Sequence, residues 1–417
     1  MAALDSSRAG GTRQVARESP RFGFIRRRFG RWIALGEYGF PFSVGPYPSS
    51  IARFRAVARR ARFVWHGRLF HALANIAMTL GWPVGAFAAA LTACARIRER
   101  GEAPNGVRSL LDMYWLALRY SIPPLEYALY QFNRAERRLD IHEYVYWNDL
   151  PGLAALVERR GANNRDVQDK DRFANICAKR GFPHVPTLAV FKHGRQVYPG
   201  TPFTPDLPQI WSKALRLNGG AGGAKWIRNG EAYCDTLGRR VPTAKLAEQF
   251  SKQDCLVQPF IDNHRDVARV SNGALASLRI VTGMNPTGES EFVTALIALP
   301  YGACNSSVGG ILCSIEPQTG RIRKAAWPRG ETVSDHPDTG APIIGVPLPF
   351  WHESVDLVQR AHSAAFPRFP FLGWDIALTT EGPMLLETNS GWGAIFHQML
   401  DGPLGHTAFS RLIGQYV

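Results

Sequence analysis

Two acids and an amide lie close together in the C-terminal stretch GWDIALTTEGPMLLETNSGWG, residues 373–393. A three-residue turn ending in glycine is a common hairpin loop, and centring a hairpin on Glu381 sets Asp375 opposite Glu387. Because side chains alternate along a strand, Asn389 shares the face of Glu387. Two carboxylates and an amide oxygen suit Mg²⁺, or Mn²⁺ in its place. Without a cation the carboxylates should repel each other, so converting either one to its amide should relieve strain.

Basic residues that could bind phosphate occur upstream of these acids. Lys213 lies on a predicted strand before a loop that contains four glycines, Gly219, Gly220, Gly222 and Gly223. Glycines let backbone N–H groups approach phosphate oxygens, and a nearby lysine adds a point charge. The loop lacks the GxxxxGK[S/T] pattern of a P-loop. Arg279 lies on a predicted strand among apolar residues, where a buried guanidinium needs an anionic partner, either a substrate group or a protein carboxylate.

These residues belong to a part of the chain with α+β character. From about residue 165 onward, short β-rich runs alternate with glycine and proline turns. Besides the two arms of the hairpin and the strand that carries Lys213, the predicted strands include 187–191, 255–261, 276–282, 291–299 and 309–315. The predicted helices of this region cover 170–180, 243–252 and 351–366. We therefore expect the site residues to be positioned mainly by strands.

The N-terminal part of the chain differs in composition. Residues 1–68 contain fourteen arginines and three acids, a net +11 of the formal +15, and predict a solvated, partly helical arm. The run from Leu69 to Ala95 is uncharged and longer than the roughly 20 residues of a membrane span. Its alanines and its Gly81-Trp82-Pro83 sequence favour a buried helical pair broken at Pro83 over a helix in or across a membrane. Residues 106–160 are predicted to be helical.

With these motifs the chain resembles the ATP-grasp superfamily, and within it the sugar-transfer-associated ATP-grasp proteins. The resemblance rests on SLRIVT at 277–282, NSSVGGI at 305–311, the Thr319-Gly320 turn and LLETNSGWG at 385–393. It implies an ATP-grasp fold, in which two α+β lobes clasp ATP, preceded by a mainly helical N-terminal region. The implied boundaries are an arginine-rich arm at 1–68, a helical region at 69–164, a small lobe at 165–260 and a large lobe at 261–417.

The resemblance also implies roles for individual residues. Asp375, Glu387 and Asn389 would hold magnesium against the ATP phosphates, and Lys170, Lys213 and the glycine loop would contact those phosphates. The plainer alternatives are an exposed hairpin with incidental acids and, for Lys170, an ordinary surface lysine. Lys213 would take part in catalysis as well as in nucleotide binding.

The implied adenine contacts come from the strand LVQPFI, through Gln258 and Ile261. The plainer alternative is a buried strand without a ligand. The acid that usually binds ribose is not in register here, and either Asp262 or Asp266 could serve. His264, together with His397 and Gln398 near the C-terminus, could meet the acceptor substrate.

Arg279 would face the γ-phosphate or an acyl phosphate during catalysis, with a structural salt bridge as the alternative. Two positions depart from the pattern of related ligases. Ser277 stands where an acid often precedes this arginine, and Gly373 stands where some relatives carry an arginine two residues before the metal-binding aspartate. The group that stabilises the tetrahedral intermediate is therefore not assigned.

The implied reaction is ATP-driven ligation of a small-molecule carboxylate to an amine or similar nucleophile, through an acyl phosphate, with release of ADP and phosphate. Pathways of cell-surface saccharide or secondary-metabolite biosynthesis are implied by association. Two other classes stay open. One is an ATP-grasp phosphotransferase that acts on a sugar or alcohol, and the other is a non-enzymatic protein that binds a polyanion or membrane surface through the arginine-rich arm.

Composition sets the remaining expectations. Six scattered cysteines without a CxxC pair, and no secretory h-region in MAALDSSRAGGTRQ, predict a reduced cytoplasmic protein, with membrane-surface contact through residues 1–95 as a further expectation. Because most of the positive charge lies in the arm, nucleic acid is not an expected partner of the catalytic part. Removing residues 1–63 should leave ATP affinity nearly unchanged, since every predicted site residue lies beyond residue 165.

Overall fold

The computed structural model describes residues 49–61, 67–99, 106–215, 223–302 and 310–417. The helices within these ranges are α1 Ser50–Ala61, α2 Gly67–Glu99, α3 Gly106–Tyr120, α4 Pro124–Leu129, α5 Ala135–Arg138, α6 Leu150–Arg159, α7 Arg165–Gln168, α8 Lys170–Lys179, α9 Leu246–Ser251, α10 Arg265–Ala268, α11 Trp351–Ala365, α12 Ala394–Asp401 and α13 Ala408–Gly414. Short 3₁₀ turns occupy Trp147–Asp149, Thr243–Lys245 and Leu404–His406.

The strands of the described residues are β1 Ala189–Lys192, β2 Arg195–Tyr198, β3 Gln209–Ala214, β4 Ala224–Asn229, β5 Ala232–Asp235, β6 Arg240–Pro242, β7 Cys255–Pro259, β8 Ser277–Met284, β9 Ser290–Leu299, β10 Ile311–Ile315, β11 Ile322–Ala326, β12 Phe371–Thr379 and β13 Gly382–Asn389. They form two antiparallel sheets, one in the order β2-β1-β7-β3-β4-β5-β6 and the other in the order β11-β10-β9-β8-β12-β13. The predicted α+β class is confirmed.

Packing divides the chain into two compact units. One includes Asn75–Ala128 and is helical in its described part, and the other joins Val44–Ala74 to Leu129–Val417 and holds both sheets. These limits differ from the predicted boundaries at 68 and 164. The reason is that α1 and the helices after residue 129 pack on the sheets instead of forming a separate region.

The six-stranded sheet is covered by apolar side chains on both faces, which explains the long buried runs of β8, β9 and β12. One face packs against α11 and α8 in the largest core, and the other packs against α1 and α13. Helix α8 belongs to this core, although its sequence was predicted to open the small lobe. The seven-stranded sheet has a separate core that includes α9.

Helix α1 is part of the core of the second unit. Ile51, Phe54 and Ala58 are fully buried, and α1 contacts α6 and α13. Arg55 is also buried, and its Nε lies 3.2 Å from Asp149 Oδ2. The predicted solvated arm thus ends in a helix whose apolar side is packed inside the fold. The remainder of the arm, 1–48 and 62–66, lies outside the described residues.

Deleting residues 1–63 is expected to lower the free energy of unfolding by at least about 3 kcal/mol. Burial of one large apolar side chain contributes about 1.5–3 kcal/mol, and Asp149 would lose its buried partner. Urea denaturation of the truncated and full-length chains measures the change. In the full-length chain, the single substitution Phe54→Ala should lower the free energy of unfolding by about 3–5 kcal/mol. An unchanged unfolding midpoint with unchanged ATP affinity would instead support a dispensable arm.

Helix α2 runs without a break from Gly67 to Glu99, with Pro83 inside it. The predicted pair of helices broken at Pro83 is therefore wrong for this segment. A proline removes one backbone hydrogen bond and distorts the preceding turn, but it does not have to end a helix whose neighbours are packed. Trp82, next to this proline, is fully buried in a cluster with Ala86 and Ala117 of α3.

A buried histidine lies beneath the strands that carry the predicted site. His362 of α11 is fully buried, with Nδ1 2.7 Å from Thr282 Oγ1 and Nε2 3.0 Å from the Phe369 carbonyl oxygen. Trp374 Nε1 donates to the same threonine hydroxyl at 2.8 Å. Burial lowers the pKa of His362 to about 4.

We expect this histidine to make the protein less stable as the pH falls. An unfolded histidine titrates near about pH 6.5, so between that pH and about 4 the unfolded chain binds a proton that folded His362 does not. The free energy of unfolding should fall by up to about 1.4 kcal/mol per pH unit across this window. His362→Gln should show a smaller decrease in urea denaturation series. If the free energy of unfolding depends on pH in the same way in both proteins, His362 is not the cause of the lost stability.

Candidate active site at the junction of the two sheets

Strands β12 and β13 pair Asp375 with Glu387, as the sequence predicted. Asn389 lies two residues further along β13, and its Nδ2 is 3.4 Å from Glu387 Oε1. Asp375 is buried, while Glu387 and Asn389 are half-buried. Two carboxylates and an amide group therefore converge on one face of the six-stranded sheet.

The turn of this hairpin is shorter than predicted, and a bulge compensates for the difference. Thr379 pairs with Gly382, so the loop has two residues instead of three. Ile376 pairs with Leu385, which leaves Leu386 as the extra residue before the next pair. A bulge shifts the register by one residue and sharpens the local twist. This shift is what brings the two acids opposite each other.

Strand β8 places Arg279 beside Asp375 on the side away from Glu387. Arg279 Nε donates to Asp375 Oδ1 and Nη2 donates to Oδ2, both at 2.6 Å. Such bidentate pairs are among the strongest ionic hydrogen bonds in proteins. The side chains are only 24% and 8% exposed, so the pair is largely removed from water. The structure thus contains the salt bridge, and contact of Arg279 with a phosphate stays a prediction.

Two lysines reach the acids from different elements. Lys170 starts α8, whose N-terminus is capped by the Asp169 side chain, and its Nζ lies 3.8 Å from Glu387 Oε2. Lys213 projects from β3 of the seven-stranded sheet and is half-buried. The charges of Glu387 and Asp375 act on it. The predicted phosphate-binding lysines and metal ligands are therefore in one cluster.

The pKa values of this cluster reflect burial and mutual attraction. Burial lowers the pKa of Lys213 below its ordinary value, although the charge of Glu387 opposes the effect. Burial favours a raised pKa for Glu387, but the Lys213 and Lys170 ammonium groups outweigh it, and the pKa is lowered. Burial raises the pKa of Asp375 against the opposing charge of Arg279. Three cations face two carboxylates, so the cluster suits a further anion.

A magnesium ion fits the donor types of this cluster. Asp375, Glu387 and Asn389 offer hard oxygen ligands, and magnesium usually combines one or two carboxylates with water and phosphate oxygens. Within the described ranges there is no group of three or more His, Cys, Asp or Glu side chains that could hold a metal. Water and phosphate oxygens of a nucleotide would complete the ligands of such an ion. Both oxygens of Asp375 already accept hydrogen bonds from Arg279.

The predicted nucleotide-binding residues of the other sheet are partly described. Gly223 directly precedes β4, whereas Gly219, Gly220 and Gly222 lie outside the described residues. Gln258 pairs with Trp211 and therefore lies on the same sheet face as Lys213. It is buried, and its Nε2 donates to the Val185 carbonyl at 3.1 Å. Ile261 is half-buried and follows the end of β7.

The segment after β13 packs closely on the acid pair. A Cβ added to Gly373 would lie 2.3 Å from Trp392 Cβ, so no side chain fits there. This explains why an arginine is absent two residues before Asp375. A Cβ added to Gly393 would lie 3.8 Å from Arg279 Nη1, so this glycine is next to the guanidinium. Trp392 had no predicted role, although the Gly-Trp-Gly motif in which it lies signals close packing.

The remaining candidate residues have different surroundings. Gln398 is fully buried and binds the backbone of Val145, accepting from its N–H at 2.8 Å and donating to its carbonyl at 2.7 Å. Gln398 therefore links helix α12 to the segment that contains Val145. His397 is also buried, lines a cavity of about 200 Å³ with Thr294 and Asp401, and its pKa is lowered to about 3 by burial and by Arg279.

The other residues named for ribose or acceptor binding follow β7. His264 caps the short helix α10 by accepting from the Asp266 N–H at 3.3 Å. Asp262 is exposed, and Asp266 is half-buried. A role in substrate binding stays a prediction for all three.

Several solved structures show similarity to this chain, all at low sequence identity. They include an L-amino acid ligase from Bacillus licheniformis (10% identity, TM-score 0.33), with 59% of this chain and 48% of the ligase covered. Another is N5-carboxyaminoimidazole synthase from Aspergillus clavatus in complex with ADP and 5-aminoimidazole ribonucleotide (11%, 0.31), with 58% and 50% covered. A third is D-alanyl-alanine synthetase A from Vibrio cholerae (15%, 0.32), with 60% and 64% covered. The matched part thus spans about half the length of the first two proteins.

Among curated proteins, no significant sequence match was found. A family model described as sugar-transfer associated ATP-grasp matches residues 158–410, which is more than half of the chain. The matched range contains both sheets and every residue of the ionic cluster described above. The chain therefore belongs to the sugar-transfer associated ATP-grasp family.

Proposed function

We propose that this protein is an ATP-dependent ligase that joins a small-molecule carboxylate to an amine or similar nucleophile. The observation that carries the proposal is the convergence of Lys170, Lys213 and Arg279 on the acids Asp375 and Glu387, where the two sheets meet. A net positive, largely desolvated cluster with hard oxygen ligands suits a nucleoside triphosphate and its magnesium ion.

In the proposed reaction, a carboxylate oxygen of the substrate attacks the γ-phosphorus of ATP in line. A new bond forms between this oxygen and phosphorus, and the bond from phosphorus to the bridging oxygen breaks, so ADP leaves. The amine then attacks the activated carbonyl carbon, the carbon–oxygen bond to phosphate breaks, and the amine loses a proton. The protein contributes mainly position and charge stabilisation to these steps.

The residues of the cluster have separate roles in this proposal. Lys170 and Lys213 neutralise and orient the phosphate oxygens, together with backbone groups of the glycine loop. Magnesium, when bound by Asp375, Glu387 and Asn389, supplies positive charge next to the phosphates. Arg279 holds Asp375 in place from the opposite side.

The proposal is tested by measuring ADP formation with pools of carboxylic acids, amino acids and amines, with mass detection of condensed products. Hydroxylamine in place of the amine should trap the activated acid as a hydroxamate. Lys213→Met, which keeps the apolar part of the side chain, should abolish both signals. ADP formation that yields a stable phosphorylated sugar or alcohol, with no hydroxamate and no free phosphate, would establish the phosphotransferase alternative instead.

A further inference from the structure

The two faces of helix α2 have an unusual distribution of side-chain size. Among the described side chains of α2, the buried side carries Trp82 and Ile97 but otherwise mainly small residues, namely Ala86, Ala89, Ala90 and Ala93, all fully buried. Larger apolar side chains are between 42% and 76% exposed, namely Ile76, Leu80, Val84, Phe87 and Leu91. Apolar stabilisation is proportional to the area removed from water, so a helix bordered by water should place the larger side chains inside. The exposed stripe therefore indicates a further partner.

Helix α3 extends this stripe sideways. Val107, Leu111 and Trp115 recur every four residues and are between 58% and 71% exposed. Phe87 packs edge-on against Tyr114, with ring centroids 6.2 Å apart, so the two stripes are neighbours. We call the eight exposed residues of α2 and α3 the apolar face. From Ile76 to Leu91 it is about 23 Å long, at 1.5 Å per helical residue.

Arginines stand at the end of the apolar face where α2 finishes and α3 begins. Arg96 and Arg98 occupy the last turn of α2, and Arg108 lies in the first turn of α3. Between Leu69 and Ala95 the chain has no charged residue. A helical surface that combines exposed large apolar and aromatic residues with flanking arginines is typical of segments that lie in the interface of an anionic membrane.

Two observations separate a bilayer from other occupants. The segment Leu80–Arg98 is long and apolar enough to cross a membrane, but 56% of it is buried by protein, so only one side is available to lipid. Arg98 and Arg108, which lie beside the apolar face, are exposed, and their charge suits the headgroups of an anionic bilayer.

We propose that the apolar face docks on a lipid bilayer that contains anionic lipids. Helices α2 and α3 lie in the plane of the interface, with the large side chains among the acyl chains and Arg98 and Arg108 at the headgroups. This inference does not depend on the proposed reaction, since none of its residues belongs to the ionic cluster.

The test is co-sedimentation of the purified full-length protein with vesicles of phosphatidylcholine, with and without phosphatidylserine. We expect binding to both, and tighter binding with phosphatidylserine. Replacing Leu80, Phe87 and Trp115 together by serine should lower the partition coefficient by about 10²-fold or more, because three large side chains lose their burial in lipid. Replacing Arg98 and Arg108 by glutamate should remove the preference for phosphatidylserine.

In a matched control variant, Leu139 and Leu237 are replaced by serine. These two leucines are even more exposed but lie in the other unit, so the variant should bind vesicles like the unaltered protein. Circular dichroism verifies the helix content of every variant. Binding that is abolished by salt but unaffected by the triple serine variant would assign lipid association to arginine charge alone and overturn the proposal. Absence of binding to either vesicle, or concentration-dependent dimerisation that only the triple variant loses, would overturn it as well.

Discussion

Glu387→Gln is expected to lower the rate of magnesium-dependent ADP formation by about 10²-fold or more, while the protein stays folded. The substitution keeps the size of the side chain but removes a charge needed to hold a cation against the transferring phosphoryl group. It also leaves Lys170 and Lys213 without the carboxylate that their charges favour. The measurement is the steady-state rate of ADP release over a magnesium titration.

Glu381→Gln is the matched control, because Glu381 is an exposed acid in the turn of the same hairpin. Its rate and magnesium dependence should equal those of the unaltered protein. Cooling should not rescue Glu387→Gln, since the loss is one of charge and not of folding. Normal magnesium-dependent turnover by Glu387→Gln would remove Glu387 from the metal site and, with it, the main support for the proposed reaction.

Glu387→Gln is not expected to stabilise the protein, contrary to the expectation from sequence. The two acids alone would repel each other, but the lysines lower the pKa of Glu387. The folded state therefore favours the carboxylate, and the stability that it contributes is present above the pKa of an unfolded glutamate and is lost as the pH falls. Removing the charge should leave the free energy of unfolding at neutral pH unchanged or lower.

The hairpin illustrates which part of the site the sequence could predict. Alternation along two strands was enough to place Asp375, Glu387 and Asn389 on one face. The loop length was wrong, and the pairing was nevertheless correct because the bulge at Leu386 adds the residue that the turn lacks. Turn length and bulges compensate in this way without a clear sequence signal, so only the position of the acids was predictable.

Long-range partners were not predictable from local pattern. Burial of Arg279 required an anion, but the sequence left open whether it came from the substrate or from a protein carboxylate. The partner in the structure is Asp375, almost a hundred residues away. Arg55 likewise looked like one more charge in a solvated arm, whereas it pairs with Asp149 inside the core. Periodicity indicates which residues share a face, and only the fold determines what that face meets.

Breaking the pair of Arg279 and Asp375 is expected to have the largest effect on stability among substitutions in the cluster. Arg279→Met should lower the free energy of unfolding by about 3 kcal/mol, because it leaves the largely buried Asp375 carboxylate without its bidentate partner. Asp375→Asn should lower it by less, because burial already raises the pKa of this acid and the folded state gains little from its charge. The double variant should cost less than the sum of the two, with a coupling of about 0.5–3 kcal/mol.

Urea denaturation at neutral pH, without magnesium or nucleotide, measures all four proteins of this cycle. A parallel cycle on Arg411 of α13 and Glu291 of β9, a pair that is more exposed, should give a coupling below about 1 kcal/mol. Both pairs join an arginine to a carboxylate, so the difference between their coupling energies reports the effect of burial and not of charge. If Asp375→Asn instead stabilises the metal-free protein, repulsion from Glu387 outweighs the attraction of Arg279. The guanidinium would then be available to the substrate and not required to hold the acid.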